Sequence, residues 1–240
     1  MIYSKLIIIA LNFFDFFQQK KILNILKKKL KGRLIIFDVG AHHGETIKNF
    51  ANNFDIDEIH SFEASRVNFK KLEKITQKFQ QKKIILNNIG LSDNKKEILI
   101  NQFSESSSTT LSKVNEKSKY FLKKINILGL SKNKNFYETL KVKLETLDDY
   151  LKEKDIQKID LLKIDTEGYE LNVLKGLSDN SHKIKLIYFE HHYDDMIVKN
   201  YKFGDIHNFL RNKGFKMIKK SKMIFRKSFE YVYENQIIQN

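Results

Sequence analysis

The fold is decided by an apolar run that leads into a glycine-rich turn, Leu34-Ile35-Ile36-Phe37-Asp38-Val39-Gly40-Ala41-His42-His43-Gly44. The continuous apolar pattern at its start is typical of a buried strand. Gly40 and Gly44 let the backbone approach a ligand, and a helix beginning here points free N–H groups at a carboxylate or phosphate. The stretch therefore predicts a first strand at residues 34–39 with a ligand-binding turn at its end.

Four later apolar runs have the same character, and the chain between most of them has helical spacing. We predict strands at residues 58–62, 84–88, 159–164 and 184–189, with helices such as 46–54 and 67–79 between them. Alternating strands and helices indicate an α/β fold with a doubly wound, mostly parallel sheet. The tail predicts antiparallel strands that close one edge, at residues 215–218, 223–225 and 229–233.

The chain divides by composition into an N-terminal segment and a larger domain, residues 34–240. Residues 1–33 carry +7 of the formal net charge of +15 and predict a basic amphipathic helix. Their apolar run, residues 6–17, is too short for a membrane span of about 20 residues, and no cleavage site follows it. We expect a cytoplasmic protein whose residues 1–33 cover the domain or contact an acidic membrane.

A long insertion separates the third and fourth predicted strands, at about residues 94–145. It contains the Ser-rich residues 104–110 and the polar residues 131–135, flanked by extended pieces at 97–103 and 140–144. Connections of this length are usually functional or mobile.

Composition excludes several kinds of protein. The chain has no cysteine, which excludes thiolate metal sites, iron–sulfur clusters and a cysteine nucleophile. With 41% hydrophobic residues, including 19 Phe and 10 Tyr, it does not have the composition of a disordered chain.

Acidic and small side chains follow the second and third strands. Glu63 lies 19 residues after Gly44, where a doubly wound nucleotide site places an acid that binds ribose hydroxyls. Ser92 and Asp93 follow the third strand, where they could border an adenine. The first turn lacks the G-x-G-x-x-G spacing, which disfavours NAD.

The fourth and fifth strands end in a denser polar group. Asp165 and Glu167 follow the fourth strand, and Glu190 and His191 follow the fifth. In a sheet of order 3-2-1-4-5 the winding reverses between the first and fourth strands, so Asp165 should face the Gly40 turn. We predict that these four polar side chains form the catalytic cluster, because folding alone rarely requires such a group at adjacent strand ends.

Together these residues resemble the FkbM family of S-adenosylmethionine-dependent methyltransferases. The resemblance covers roughly residues 34–195, and the block that ends the fourth strand is its most specific part. The motifs are Asp38-Val39-Gly40-Ala41 with Gly44, Phe62-Glu63, Leu91-Ser92-Asp93, Thr146-Leu147-Asp148, Lys163-Ile164-Asp165 with Glu167-Gly168-Tyr169-Glu170, and Glu190-His191-His192. Two positions depart from the family pattern, His42 where Asn is usual and Ala64 where Pro is common.

The resemblance implies a Rossmann-like class I methyltransferase fold, with a seven-stranded sheet of order 3-2-1-4-5-7-6 and an antiparallel edge strand. It also implies S-adenosylmethionine as cofactor and methyl transfer to a hydroxyl oxygen of a sugar, glycan or natural product. The residues that it assigns to the cofactor are Asp38, Gly40, His42, Gly44, Glu63, Ser92, Asp93 and Asp165. A carboxylate-rich pocket also suits the cofactor's sulfonium cation.

The sequence leaves three questions open. The hydroxyl proton could pass to His191, His192 or Asp165. Alternatively, a divalent metal held by Asp165, Glu167 and Glu190 could acidify the hydroxyl. Other functions are a nucleotide- or NAD-binding Rossmann enzyme and a basic nucleic-acid-binding or RNA-methylating protein. We expect no nucleic acid, because carboxylates that line the crevice repel a phosphate backbone.

Overall fold

The computed structural model describes residues 19–79, 82–103, 110–128, 137–177, 179–223 and 227–238. The strands of this part of the chain are β1 (Leu34–Val39), β2 (Ile56–Phe62), β3 (Lys83–Asn87), β4 (Gly90–Leu91), β5 (Lys96–Phe103), β6 (Lys113–Val114), β7 (Tyr137–Glu145), β8 (Ile159–Ile164), β9 (Ile184–His192), β10 (Ile197–Val198), β11 (Phe215–Lys222) and β12 (Ser228–Asn235). The helices are α1 (helical at residues 19–29), α2 (Glu45–Asn53), α3 (Arg66–Thr76), α4 (Lys119–Leu128), α5 (Leu147–Glu153), α6 (Glu170–Lys175) and α7 (Phe203–Asn212).

Seven strands form the central sheet, in the order β3-β2-β1-β8-β9-β12-β11. Numbered along the chain within this sheet alone, the order is 3-2-1-4-5-7-6. Strand β12 is antiparallel to both of its neighbours, which makes β11 at the edge parallel to the rest. The predicted α/β fold with a seven-stranded, mostly parallel sheet is confirmed, and the antiparallel strand lies one place inside the edge.

The winding of the sheet reverses between β1 and β8. These two strands pair in parallel, with Asp38 opposite Lys163 and Val39 opposite Ile164. Helices follow both strands, and they leave a crevice at the carboxyl ends where an open α/β sheet binds its ligands. The topology therefore brings the end of β1 and the end of β8 to one place.

Apolar side chains cover both faces of the sheet. Residues of α5, α6 and α7 pack on one face, among them Leu147, Leu174 and Ile206. The other face is covered by α2, α3 and the described part of α1. This arrangement gives the sheet the two buried faces that a doubly wound fold requires.

Helix α1 docks on the domain. Its Ile22 and Leu26, with Leu30 just beyond it, are at most 4% exposed, and they pack with sheet residues such as Leu161 and Val232. The apolar run at residues 6–17 lies outside the described residues, and contact with an acidic membrane stays a prediction. No helix in the described ranges combines the length and the apolar character needed to cross a membrane.

The described parts of the insertion form regular structure. Strand β7 pairs with β5 in an antiparallel manner and with β4 in a parallel manner. Strand β6 pairs with β10 beside the main sheet. The Ser-rich residues 104–109 and the polar residues 131–135 lie outside the described residues.

Candidate active site

Gly40 brings the end of β1 against the end of β8. Its φ is +80°, and a Cβ built on it would lie 1.9 Å from the carbonyl oxygen of Asp165. The next strand also fixes the turn, because Gly40 N and Ala41 N both donate to Phe62 O, at 2.9 and 3.0 Å. Only glycine fits this close approach without displacing the backbone.

Glu63 at the end of β2 is held in a defined orientation beside this turn. Its Oε2 accepts a hydrogen bond from His42 N and its Oε1 accepts one from Ser65 N, both at 2.9 Å. Glu63 is 7% exposed. Burial raises the pKa of this carboxyl, although the two N–H groups oppose the shift. The structure thus joins Glu63 to the β1 turn, and contact between Glu63 and ribose hydroxyls stays a prediction.

Lys163 links the acidic groups that end β1 and β8. Its Nζ lies 3.3 Å from Asp38 Oδ1 and 3.4 Å from Asp165 Oδ2. Burial alone would lower the pKa of Lys163, but Asp38 and Asp165 raise it. Asp38 is fully buried, whereas the side chain of Asp165 is 35% exposed. Asp165 is therefore the acid of this group that opens to the crevice, and Asp38 anchors Lys163.

His192 lies among three carboxylates. Its Nε2 is 3.2 Å from Glu167 Oε2 and 3.5 Å from Glu190 Oε1, and its Nδ1 is 3.4 Å from Asp194 Oδ2. Burial alone would lower the pKa of His192, but Glu167, Asp194 and Glu190 raise it to about 10. With this pKa the buried ring carries a proton near neutral pH.

His191 lies on the opposite face of β9, because successive side chains of a strand alternate. It is 2% exposed and packs against the rings of Tyr193, Tyr201 and Phe203. Its Nδ1 lies 3.9 Å from Glu170 Oε2. This corrects the predicted placement of His191, since the histidine beside Glu167 and Glu190 is His192.

Glu170 holds the loop between β8 and α6 in place. Its Oε1 accepts hydrogen bonds from Gly168 N at 2.8 Å and Thr166 Oγ1 at 3.1 Å. Its Oε2 accepts one from Tyr201 OH at 2.7 Å. Burial would raise the pKa of Glu170, but the nearby His191 ring and hydrogen bonds from Tyr201 OH and Gly168 N lower it to about 2. The loop that carries Asp165 and Glu167 is thus fixed by a buried carboxylate.

Ser92 and Asp93 differ in their access to solvent. Ser92 is fully buried, and a Cβ built on Gly176 would lie 2.0 Å from its carbonyl oxygen. Its hydroxyl donates to Asp93 Oδ1 at 2.8 Å and lies 3.0 Å from Tyr169 OH. The Asp93 side chain is 33% exposed. Ser92 therefore positions Asp93, and contact between Asp93 and an adenine stays a prediction.

Sequence reasoning missed two polar residues on the same face as Asp165 and Glu190. Tyr188 OH donates to Glu230 Oε1. Burial and the carboxylates of Glu230, Glu190 and Asp165 raise the pKa of Tyr188 well above its ordinary value. Glu230 stands opposite Glu190 in the β9–β12 pair. The sequence could have indicated Tyr188, because side chains alternate along a strand and residues 188, 190 and 192 therefore lie on one face.

The acidic residues proposed to hold a metal are not gathered closely enough to form a ligand set. Within the described part of the chain, the one group of three whose ligand atoms lie within 4.8 Å of one another is His42, His43 and Glu45. Asp165, Glu167 and Glu190 do not form such a group, although Glu167 Oε2 and Glu190 Oε1 lie 3.2 and 3.5 Å from His192 Nε2.

The arrangement combines a close backbone turn, an oriented buried acid and a row of carboxylates at the reversal point of the sheet. The turn and Glu63 can bind a nucleoside through its ribose hydroxyls. The carboxylates of Asp165, Glu167 and Glu190 can attract a cation and accept a proton.

Comparison with known proteins gives a family match by sequence. The profile of the methyltransferase FkbM domain matches residues 38–217, three quarters of the chain. No curated protein matches the chain in sequence.

Solved structures show the same fold. The chain is similar to methyltransferase FkbM from Methylobacillus flagellatus, with a TM-score of 0.54 and 14% identity over 85% of this chain and 45% of that one. It thus spans less than half the length of that relative. It is also similar to TrmK of M. capricolum, solved with S-adenosylhomocysteine, with a TM-score of 0.51 and 13% identity over 91% of this chain and 69% of that one. An rRNA methylase from Streptococcus thermophilus gives a TM-score of 0.51 and 10% identity over 89% and 93%.

Proposed function

The chain belongs to the FkbM methyltransferase family, and on that premise we propose that it methylates a hydroxyl oxygen of a sugar, glycan or natural product, using S-adenosylmethionine. The observation that carries the proposal is the juxtaposition at the reversal point of the sheet. There, a Cβ built on Gly40 would lie 1.9 Å from Asp165 O, so the two strand ends touch. Glu63 accepts a hydrogen bond from His42 N of the same turn.

The residues of the crevice fit the proposed cofactor. Beyond its two backbone hydrogen bonds, Glu63 also accepts one from the Asn68 side chain, and it keeps capacity for a further one because a carboxylate has about four lone-pair sites. A ribose hydroxyl is a suitable donor to it. Asp165 supplies negative charge at the other side of the Gly40 turn, where it would attract the cationic end of the cofactor. When bound, the cofactor supplies an electrophilic methyl group.

Asp165 is our proposed acceptor of the hydroxyl proton. Its side chain is more exposed than those of Glu167 and Glu190, at 35% against 20% and 16%. A base must lie within hydrogen-bond reach of the attacking hydroxyl, which requires such access. The charged ring of His192 holds Glu167 and Glu190 as carboxylates at the rim, and Glu170 fixes the loop.

The charge distribution favours a small acceptor over RNA. The basic residues concentrate at the two ends of the chain, +7 in residues 1–33 and +6 in residues 211–240, whereas acids surround the reversal point. A phosphate backbone entering the crevice would meet those acids. The RNA methylases among the structural relatives share the fold at 10–13% identity. Identity this low supports a common fold and gives no support for a common acceptor.

Transfer of a labelled methyl group tests the proposed function. Purified full-length chain is incubated with methyl-labelled S-adenosylmethionine and, in parallel, with hydroxyl-bearing sugars, glycans, small natural products and bulk tRNA. We expect label in a hydroxyl-bearing acceptor, in a form that survives mild alkali because a methyl ether resists hydrolysis. Label in tRNA alone would contradict the proposal, as would an alkali-labile methyl ester.

The variant Asp165→Asn separates catalysis from binding in the same assay. Loss of a general base typically costs about 10² to 10⁴ in rate. We expect such a loss with S-adenosylhomocysteine binding retained, because this thioether lacks the sulfonium charge that Asp165 would attract. Loss of binding as well would assign Asp165 to the cofactor, and unchanged turnover would remove it from the site.

A further inference from the structure

Three side chains of the β1–α2 turn converge outside the carboxylate row. His42 Nδ1 lies 3.4 Å from Glu45 Oε1, and His43 Nδ1 lies 3.9 Å from the same oxygen. The two imidazole rings stack, with centroids 3.7 Å apart and planes 20° from parallel. The proposed methyl transfer uses the backbone of this turn and none of these three side chains.

The backbone of the turn produces this convergence. His42 has a φ of +48°, and Gly44, which precedes helix α2, has a φ of +86°. These left-handed residues fold the chain back, so that two consecutive histidines and the first residue of α2 share one side of the turn. Consecutive side chains of a strand or helix would point apart.

The separations suit a metal ion. Zinc bonds imidazole nitrogen at about 2.0–2.1 Å and carboxylate oxygen at about 2.0–2.2 Å, so tetrahedral ligand atoms stand roughly 3.3 Å apart. One ligand atom from each of His42, His43 and Glu45 lies within 4.8 Å of the other two. Because an imidazole nitrogen binds a metal in the plane of its ring, the two rings would have to rotate out of their stacked arrangement to direct one nitrogen each at a common ion.

Access and support are also present. The side chains of His42, His43 and Glu45 are 28%, 23% and 68% exposed, which leaves an entry path and room for water as a fourth ligand. The amide of Asn68, buried in α3, interacts with the His43 ring. Metal-binding histidines are usually oriented by such an outer partner.

We propose that His42, His43 and Glu45 form a binding site for a divalent transition cation such as Zn²⁺. Two imidazoles and one carboxylate favour zinc, cobalt, nickel or copper over magnesium and calcium, which prefer all-oxygen ligands. The site would be connected to Glu63, because His42 N donates a hydrogen bond to Glu63 Oε2 at 2.9 Å.

Calorimetry with Zn²⁺ alone tests the site, on the full chain without a polyhistidine tag and without cofactor. We expect one equivalent to bind the wild type, and Mg²⁺ to give no binding. His43→Ala and Glu45→Gln should each weaken Zn²⁺ binding more than about 10-fold, because loss of even an outer-shell partner costs 10- to 100-fold. His42→Asn should do the same and keep the backbone, since Asn tolerates the left-handed conformation.

The matched control is His182→Ala. His182 is exposed and its Nδ1 lies 3.1 Å from Asp179 O, away from the turn in the 3₁₀ segment Ser181–Lys183. This variant should bind Zn²⁺ as the wild type does. Circular dichroism of each variant verifies folding, and Glu45→Gln, at the exposed ligand, is the least demanding change for the fold. No zinc binding by the wild type, or equal affinity in all four variants, would overturn the site.

Discussion

Lys163 Nζ lies 3.3 Å from Asp38 Oδ1, and this pair joins the two central strands β1 and β8 at the point where the winding reverses. Asp38 is fully buried and Lys163 is 8% exposed. Burial raises the pKa of Asp38 and Lys163 opposes the shift, so the charge of this carboxyl depends on Lys163 and not on water. The pair lies directly beneath the crevice that Gly40 and Asp165 form.

Removing the cation of this pair should destabilise the fold. Lys163→Met leaves the Asp38 carboxylate buried without compensation, which typically costs about 3–5 kcal/mol. The control is Lys158→Met, because Lys158 pairs with Asp160 at 3.2 Å but is 57% exposed; exposed pairs contribute about 0–1 kcal/mol. Urea denaturation measures both variants. Equal losses would show that burial gives the Lys163 pair no special importance.

Glu170 should make stability depend on acid pH. Its pKa falls from an ordinary 4.5 to about 2 in the fold, so its contribution is complete above pH 4.5 and lost as pH falls toward 2. The difference corresponds to about 3 kcal/mol. Urea denaturation from pH 6 to pH 3 should show a shallower dependence in Glu170→Gln than in the wild type. The exposed control Glu73→Gln should keep the wild-type slope, and identical slopes in all three proteins would contradict the assignment.

His192 should remain protonated well above neutral pH. The carboxylates of Glu167, Asp194 and Glu190 outweigh burial and raise its pKa to about 10. Its contribution to stability is thus complete below pH 6.5 and is lost as pH rises through 10. Imidazole nitrogen NMR shifts at pH 8 should show two N–H groups on this ring. Glu167→Gln and Glu190→Gln should each lower the pKa, and a neutral ring at pH 8 in the wild type would refute the interpretation.

Gly40→Ala should lower the free energy of unfolding far more than Gly204→Ala does. A Cβ at Gly40 meets Asp165 O at 1.9 Å and requires a φ of +80°, whereas one at Gly204 meets nothing within 4 Å. Strain and overpacking together predict a loss of about 2–5 kcal/mol for Gly40→Ala. Gly204→Ala in α7 should match the wild type or gain up to about 1 kcal/mol. Thermal unfolding of the two variants compares them, and similar stabilities would argue against the close approach.

Much of the fold could be predicted from the sequence, because buried parallel strands are continuous apolar runs. Strands Leu34–Val39 and Ile159–Ile164 have the predicted bounds. The strand that ends in His192 is three residues longer than predicted, since its polar end pairs with β12 and so continues the ladder. Apolar patterning does not show such an extension, because the added residues Glu190, His191 and His192 are polar.

The candidate site was less accessible to sequence reasoning. The acids at strand ends and their spacing pointed to Glu63 and Asp165, which topology then brings to one turn. Which face of the sheet His191 and His192 lie on can be assigned only when the register of β9 is known. The partners of Lys163 likewise become clear only from the pairing of β1 with β8. Whether Asp38 contacts solvent depends on packing across the sheet, which no local pattern encodes.

The most direct measurement for the central proposal is calorimetric binding of S-adenosylhomocysteine to the wild type and to Glu63→Ala, with NAD as the competing ligand. We expect one equivalent of S-adenosylhomocysteine to bind, no displacement by NAD, and a loss of about 1.5–3 kcal/mol in Glu63→Ala through missing charge-assisted hydrogen bonds. Binding of NAD in place of S-adenosylhomocysteine, or the same affinity in Glu63→Ala as in the wild type, would contradict a cofactor site built on the Gly40 turn and Glu63.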